Sequence, residues 1–358
     1  MNYLKYLILC LIFSGCNSPK QKLQAVNFDQ IENNQDSILI TAVGDIMIGS
    51  TYPSPLHLPP NDGINSFKAV QNYLKGDIVF GNLEGTFLND DTPPKCNDSI
   101  SKNCYAFRMP EHYGKIIKNA GFNVLSIANN HINDFKSLGR KRTTKVLDSL
   151  NIHYAGLINK PYKSFTIKNK KFAFLAFAPN ANTLSIHNLN EAKRLVDSLK
   201  KENHIVLVSF HGGGEGTDFE HVTRAPEIYI NENRGNVYAF SHAVIDAGAD
   251  LVLGHGPHVT RAVEVYKNKF IAYSLGNFCT YGKFNISGPS GIAPILNIYI
   301  NEKGDFMSAK VISTAQSKSE GLTIDSLNNA FYKIKNLTDA DFKGHQLDFS
   351  KVGYIKLK

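Results

Sequence analysis

The chain has 358 residues, 42% of them hydrophobic, and a formal net charge of +8. That length allows a sizeable core, in two domains or in one large α/β unit. The charge favours anionic partners such as phosphate esters, acidic polymers or lipid head groups. The one dense basic run, GRKRTTK at 139–145, has no interleaved aromatics, which argues against nucleic acid and leaves a solvated helix face as the plainer reading. No Gly-Lys-Ser/Thr phosphate loop occurs, so the chain shows no ATP-driven synthetase signature and polymerisation itself would need partner proteins.

The first residues carry one charge, Lys5, followed by an apolar run from Tyr6 to Phe13 and then Ser14-Gly15-Cys16. This is the layout of a signal peptide over 1–15, too short to span a bilayer permanently. Phe13-Ser14-Gly15-Cys16 also resembles the bacterial lipobox, which makes Cys16 a lipid-modified first residue. The alternative is an ordinary secretory signal with an incidental cysteine. Residues 16–36, polar and without periodicity, read as a tether, and the whole predicts an exported, envelope-anchored lipoprotein facing the periplasm or the cell surface. In an oxidising compartment Cys96 and Cys104 can close a small loop worth ~2–3 kcal/mol, or remain as two thiols. Cys279 reads as a small buried hydrophobe.

From residue 37 onward, apolar runs alternate with helix-like stretches. ILITAVGD predicts a strand followed by a helix near 64–75, and DIVFGNLE a strand followed by a helix near 110–120. FNVLSIANNH leads to a helix near 138–150, and SFTIKNKKFAFLAFAP predicts a hairpin turning at Asn169. A helix near 188–202, the strand HIVLVSFHGG, an amphipathic stretch at 231–248 and the strand DLVLGHGPH follow. Strands alternating with helices indicate a layered α/β fold. AVEVYKNKFIAYSLGNF and ILNIYINEKGDFMSAKVIS read as antiparallel hairpins of a second sheet. The main domain is placed at 37–316, with 317–358 a polar, weakly patterned extension packed on the domain or partly flexible.

Five strand-to-loop junctions carry hydrogen-bonding or metal-capable groups: Asp45; Glu84; Asn130 with His131; His211; and His255 with His258. In a parallel or mixed sheet such ends point to one edge, where open α/β sheets bind ligands. Carboxylates, an amide carbonyl and imidazoles suit one or two borderline divalent cations such as Mn, Zn or Fe, and the lack of thiolates argues against structural zinc. Taken singly, Asp45 or Glu84 also fits a helix cap, and each histidine a hydrogen-bonded loop residue. The glycine loops HGGGEG (211–216) and GHGPH (254–258) allow close backbone approach. Asn82, Glu215, Asp218 and His221 stand as groups behind the ligands or on the substrate side.

With these residues in view, GDIMIG, GNLEG, SIANNHINDF, SFHGGGEG, DAGADLVLGHGPHV and AYSLGNF, in order from about 38 to 280, resemble the CapA-type family of poly-γ-glutamate capsule biosynthesis proteins, which is similar to calcineurin-like metallophosphatases. The resemblance implies an α/β/β/α sandwich with mixed sheets. It further implies Asp45, Glu84, Asn130, His211, His255 and His258 as metal ligands, Glu84 bridging, with His131 as the catalytic proton donor and Asn129 structural. Two departures stand out: Met47 replaces a histidine ligand, and Gly256-Pro257 separate the last two histidines where one residue is usual. Two functions follow: a metal-dependent hydrolase of phosphoester or amide bonds in an anionic envelope polymer, or a non-catalytic accessory that binds such a polymer within a capsule-synthesis complex. A scaffold with a degenerate site is a third, against which the retained His131 counts.

Overall fold

The computed structural model describes residues 37–96 and 105–358. The signal segment, Cys16, the tether and Cys104 therefore lie outside the described residues; Cys96 is disulfide-bonded. In chain order the elements are β1 (Ile38–Met47), β2 (Ile78–Leu83), α1 (Tyr113–Ala120), β3 (Val124–Ser126), α2 (Lys136–Ser149) and β4 (His153–Ala155). Then come β5 (Tyr162–Ile167), β6 (Lys170–Ala178), α3 (Leu189–Glu202), β7 (Ile205–His211), α4 (Val237–Asp246) and β8 (Leu251–His255). The remainder is β9 (Val263–Tyr266), β10 (Lys269–Ala272), β11 (Asn277–Thr280), β12 (Ile292–Ile300), β13 (Phe306–Ser317), β14 (Gly321–Ile324), α5 (Asn329–Asp341), β15 (Leu347–Asp348) and β16 (Tyr354–Leu357). Short turns and two-residue ladders connect them.

One sheet has the order β15-β16-β13-β12-β1-β2-β3-β4, with β11 also on β1 and β14 on β13. The second runs β9-β10-β8-β7-β6-β5. Both are mixed: β1 is parallel to β2 and antiparallel to β12, and β7 is parallel to β6 and β8 while β5 returns antiparallel.

Strand periodicity builds the layers, because successive side chains point to opposite faces. Ile38, Ile40 and Ala42 of β1 join Phe172, Phe174 and Ala176 of β6 and Ile205 and Leu207 of β7 in one core between the sheets. The alternate residues face outward: Val43 and Val79 meet Tyr113 and Ile117 of α1 and Leu147 of α2, while Val206, Val208 and Phe210 meet Val196 of α3 and Phe240 and Val244 of α4. The order is helix, sheet, sheet, helix, as the resemblance implied. Among the described residues no helix is long and apolar enough to cross a membrane.

Three expectations need correction. Residues 64–75 form successive turns and a 3-10 segment, Gln71–Tyr73, instead of an α-helix. Phe67, Val70 and Leu74 are buried at spacings of three and four, an α-helical pattern that successive turns and a short 3-10 segment satisfy here instead. The stretch from 231 begins with a hairpin, Ile228–Tyr229 against Glu232–Asn233, and the helix starts only at Val237, capped by the Asn236 side chain on the Ala239 N–H. The two late hairpins do not share a new sheet: β9-β10 extends the second and β12-β13 the first. Of the two alternatives for the stretch beyond 317, the described residues pack on the domain: α5 places Phe331 and Ile334 in the inter-sheet core, and β16 pairs with β13.

At the carboxyl end of β1 the pairing with β2 slips between Ala42 and Asp45, and that with β11 between Asp45 and Ile46. Such a slip re-aims a side chain toward the sheet edge. Gly44 permits it: a Cβ there would lie 1.9 Å from the Gly276 carbonyl oxygen, which accepts the Asp45 N–H at 2.9 Å. Gly44→Ala is therefore expected to cost about 3 kcal/mol or more by overpacking rigid backbone. Urea denaturation checks this, and an unchanged midpoint would rule out the close approach.

Candidate metal centre

Asp45 and Glu84 are both fully buried, at the ends of β1 and β2. The Asn82 amide joins them, donating to Asp45 Oδ1 at 2.9 Å and Glu84 Oε2 at 3.2 Å. Asn82 is itself held by Asn129 Nδ2 at 3.1 Å, and Asn129 Oδ1 accepts the His131 N–H at 3.0 Å. The two amides form a relay from the carboxylate pair to the His131 backbone.

The second sheet supplies the imidazoles. His211 and His255 sit in register on β7 and β8, both fully buried. His255 Nδ1 is 3.3 Å from Asp45 Oδ1, though neither ring nitrogen makes a hydrogen bond. His258, held at φ +56° where non-glycine residues cost of order 1 kcal/mol, places Nδ1 3.0 Å from Asp45 Oδ2 and 3.1 Å from Asn277 Oδ1. Its Nε2 lies 3.5 Å from Glu84 Oε1. Asp45, Glu84 and His258 each offer a ligand atom, all within 4.8 Å of one another. The His211 ring lies 6.2 Å from the His258 ring.

Electrostatics follow from burial. Desolvation and the Asp45 charge push Glu84 well above the carboxylate range. For Asp45 desolvation works upward, but His255 and His258 outweigh it and hold the group well below its usual value. Burial opposes charge on His258, yet Glu84, Asp45 and Glu215 push it up to about 10. Its imidazolium thus supplies the positive charge two buried carboxylates require. Burial, then Arg234, hold His211 well down, as a neutral imidazole.

Beside the pair stands His131, with Nε2 3.9 Å from Glu84 Oε1 and its ring 4.2 Å from that of Phe107. Its Nδ1–H donates to Asp134 Oδ2 at 2.8 Å, which leaves Nε2 aimed at the carboxylates. Asp134 is anchored by the Phe107 N–H at 2.7 Å and by Lys95, whose Nζ is 2.7 Å from Oδ1 and also donates to the Asn130 carbonyl at 2.9 Å. Burial lowers the His131 pKa, with Asp134 opposing, so the resting ring is the neutral tautomer with its lone pair on Nε2.

The donors fit a divalent cation. Glu84 Oε1, Asn130 Oδ1, His211 Nδ1 and both His255 nitrogens are buried without hydrogen-bond partners, and buried polar atoms are normally satisfied. The set mixes hard oxygen with imidazole, as Mn, Zn or Fe require. Met47 is excluded, because it is buried in the apolar layer beneath α1 and α2.

The bacterial capsule synthesis protein family PGA_cap matches residues 39–281. The chain belongs to this family. It is 31% identical over 263 residues to capsule biosynthesis protein CapA of Bacillus anthracis, covering 68% of this chain and 60% of that protein. It is 28% identical over 267 residues to PGA biosynthesis protein CapA of Bacillus subtilis, covering 70% and 65%. The chain thus spans under two thirds of either relative. A 5'-nucleotidase precursor from Thermus thermophilus overlaps at TM-score 0.41 and 11% identity, over 85% of this chain and 59% of that one, too loosely to assign chemistry.

All the expected ligands and His131 lie within the PGA_cap span, and the fold brings Asp45, Glu84, His131, His211, His255 and His258 to one edge. Asn130 borders them through its backbone contact with Lys95. His221 does not join: it pairs with Asp341 of α5 at 2.7 Å. Asp218 sits in the Thr217–Phe219 turn, and Glu215 lies 3.0 Å from Arg234. Sequence reading missed Asp134 and Asn277, although both fall inside quoted motifs; Lys95 and Arg234 carried no signal. Asp134→Asn removes a carboxylate that holds three donors and is expected to cost about 1–3 kcal/mol. Urea denaturation reads this directly, and a variant as stable as the parent would mean that the His131–Asp134–Lys95 network does not hold in solution.

Proposed function

We propose that this PGA_cap member is an exported, lipid-anchored, metal-dependent hydrolase acting on phosphoester or amide bonds of an anionic envelope polymer. One observation carries the reading: five metal-capable side chains from two sheets, Asp45, Glu84, His211, His255 and His258, lie together with buried donor atoms left unpartnered, and beside them a histidine is fixed by its own carboxylate. Asp45, Glu84, Asn130, His211, His255 and His258 would hold one or two divalent ions. When bound, such an ion supplies Lewis acidity toward a phosphoryl or carbonyl oxygen and acidifies water.

The remaining steps belong to the chain. The neutral His131 accepts at Nε2 a proton of the attacking water as its oxygen bonds to phosphorus or carbon, and donates that proton to the leaving oxygen or nitrogen as the scissile bond breaks. Asp134 keeps the ring oriented and stabilises the imidazolium between the two transfers. Lys95 holds Asp134 in place through its 2.7 Å contact with Oδ1. Export follows from the charged, apolar and small-residue order of the first sixteen residues, with Cys16 as the anchor.

A second reading, non-catalytic binding of the polymer within a capsule-synthesis complex, draws on Met47: one histidine of the metallophosphatase pattern is missing, and the replacing side chain turns into the core. Elemental analysis and hydrolysis of a phosphodiester, a phosphomonoester and a glutamyl amide in added manganese or zinc separate the two. The hydrolase reading expects stoichiometric metal, and a His131→Ala protein that keeps the metal while turnover falls about 10²–10⁴-fold. Protein that binds no added ion and turns over none of the three would leave polymer binding as the function.

A further inference from the structure

We propose that Arg234 is the specificity residue that reads a substrate carboxylate beside the metal centre, and that Glu215 fills that place as an internal stand-in until substrate displaces it. The inference rests on the reading that this site handles an anionic polymer. It assigns the recognition to one guanidinium.

Arg234 is 3% exposed, and its Nη2 reaches toward the centre, 3.4 Å from His211 Nε2. A guanidinium has five N–H donors and is costly to bury without acceptors. Among the described residues its only carboxylate contacts are Glu215 at 3.0 Å and Glu232 at 3.5 Å, and Nε has no partner. The nearby buried carboxylate is not available: Glu227 is bound by Arg261 at 3.0 and 2.7 Å and by the Gly214 N–H at 2.8 Å. Arg234 therefore has donors left over next to the reacting edge.

The arginine is fixed and its partners are not. Its N–H donates to the Glu227 carbonyl at 2.8 Å, and its own carbonyl accepts the Gly213 N–H at 2.9 Å, so its backbone is tied to the glycine loop. Glu215 is 22% exposed and lies between Gly214 and Gly216 of that loop; Glu232 is 64% exposed. Either carboxylate can move into water at small cost, because a solvated glutamate is fully stabilised there. What occupies the place is a carboxylate, so a free carboxylate on a glutamyl polymer matches it in charge and in the planar fork that the guanidinium pairs with. Phosphate also pairs with arginine, and the test distinguishes the two.

The probe is a fluorescein-labelled γ-linked oligoglutamate, with an oligoglutamine of equal length as the uncharged control. Binding is read by anisotropy on the full chain in chelator, independent of metal and turnover. Glu215→Gln is expected to tighten oligoglutamate about tenfold, and Arg234→Lys, which loses the planar fork, to weaken it about tenfold. In the double variant the gain from Glu215→Gln should vanish, and oligoglutamine should respond to neither change. An unchanged Glu215→Gln protein, a gain that persists without Arg234, or competition by inorganic phosphate but not by free glutamate would each overturn the assignment. If Arg234→Lys fails to fold, the Glu215→Gln result on a partly exposed loop residue still decides. Tightening without metal or turnover supports this inference while removing the hydrolase reading; turnover with no response to Glu215→Gln does the reverse.

Discussion

Two carboxylates buried side by side, Asp45 and Glu84, set the terms for the rest of the centre. Removing a charge from water costs several kcal/mol unless a partner repays it, and like charges at close range add to that. The protein answers with donors and cations on every side: the Asn82 amide between them, His258 across both, and His255 against Asp45. This same arrangement is suited to a divalent ion, whose charge would replace that of the His258 imidazolium.

The sandwich exists to bring opposing halves of that arrangement together. The first sheet delivers oxygen ligands and the His131 loop from β1, β2 and β3, and the second delivers imidazoles from β7 and β8. Neither sheet alone makes the centre, so the packing of Ile40 and Phe80 against Phe174 and Leu207 fixes distances between ligands far apart in sequence. The glycine loops meet backbone to backbone at the seam. A Cβ on Gly256, at φ +117°, would lie 2.6 Å from the Gly212 carbonyl.

Layers of control surround the ligands. Asn82 and Asn129 couple the carboxylate pair to His131, and Asp134 with Lys95 sets the imidazole tautomer. Arg261 and Glu227 form a buried ion pair that pins the loop bearing Glu215. Such a pair is weak evidence for stability, but it fixes geometry, which a site on a glycine-rich loop otherwise lacks.

Much of this was legible in the chain itself. Alternating apolar residues gave strands, their faces and the hairpin turn at Lys168 and Asn169, both at positive φ. Donor types at strand ends gave the ligand candidates, ordered motifs gave the PGA_cap family, and Cys279 is buried as read, its thiol pushed up to about 12. The spacing of Phe67, Val70 and Leu74, three then four, reads as an α-helix, and only the folded chain shows turns and a 3-10 segment there. Tertiary structure alone decided that Met47 faces the apolar layer, that Lys95 and Arg234 reach the centre, and that His221 belongs to α5. Periodicity and residue type are local properties, readable over a few positions, whereas burial and charge pairing depend on which distant segments the two sheets bring within a few ångströms.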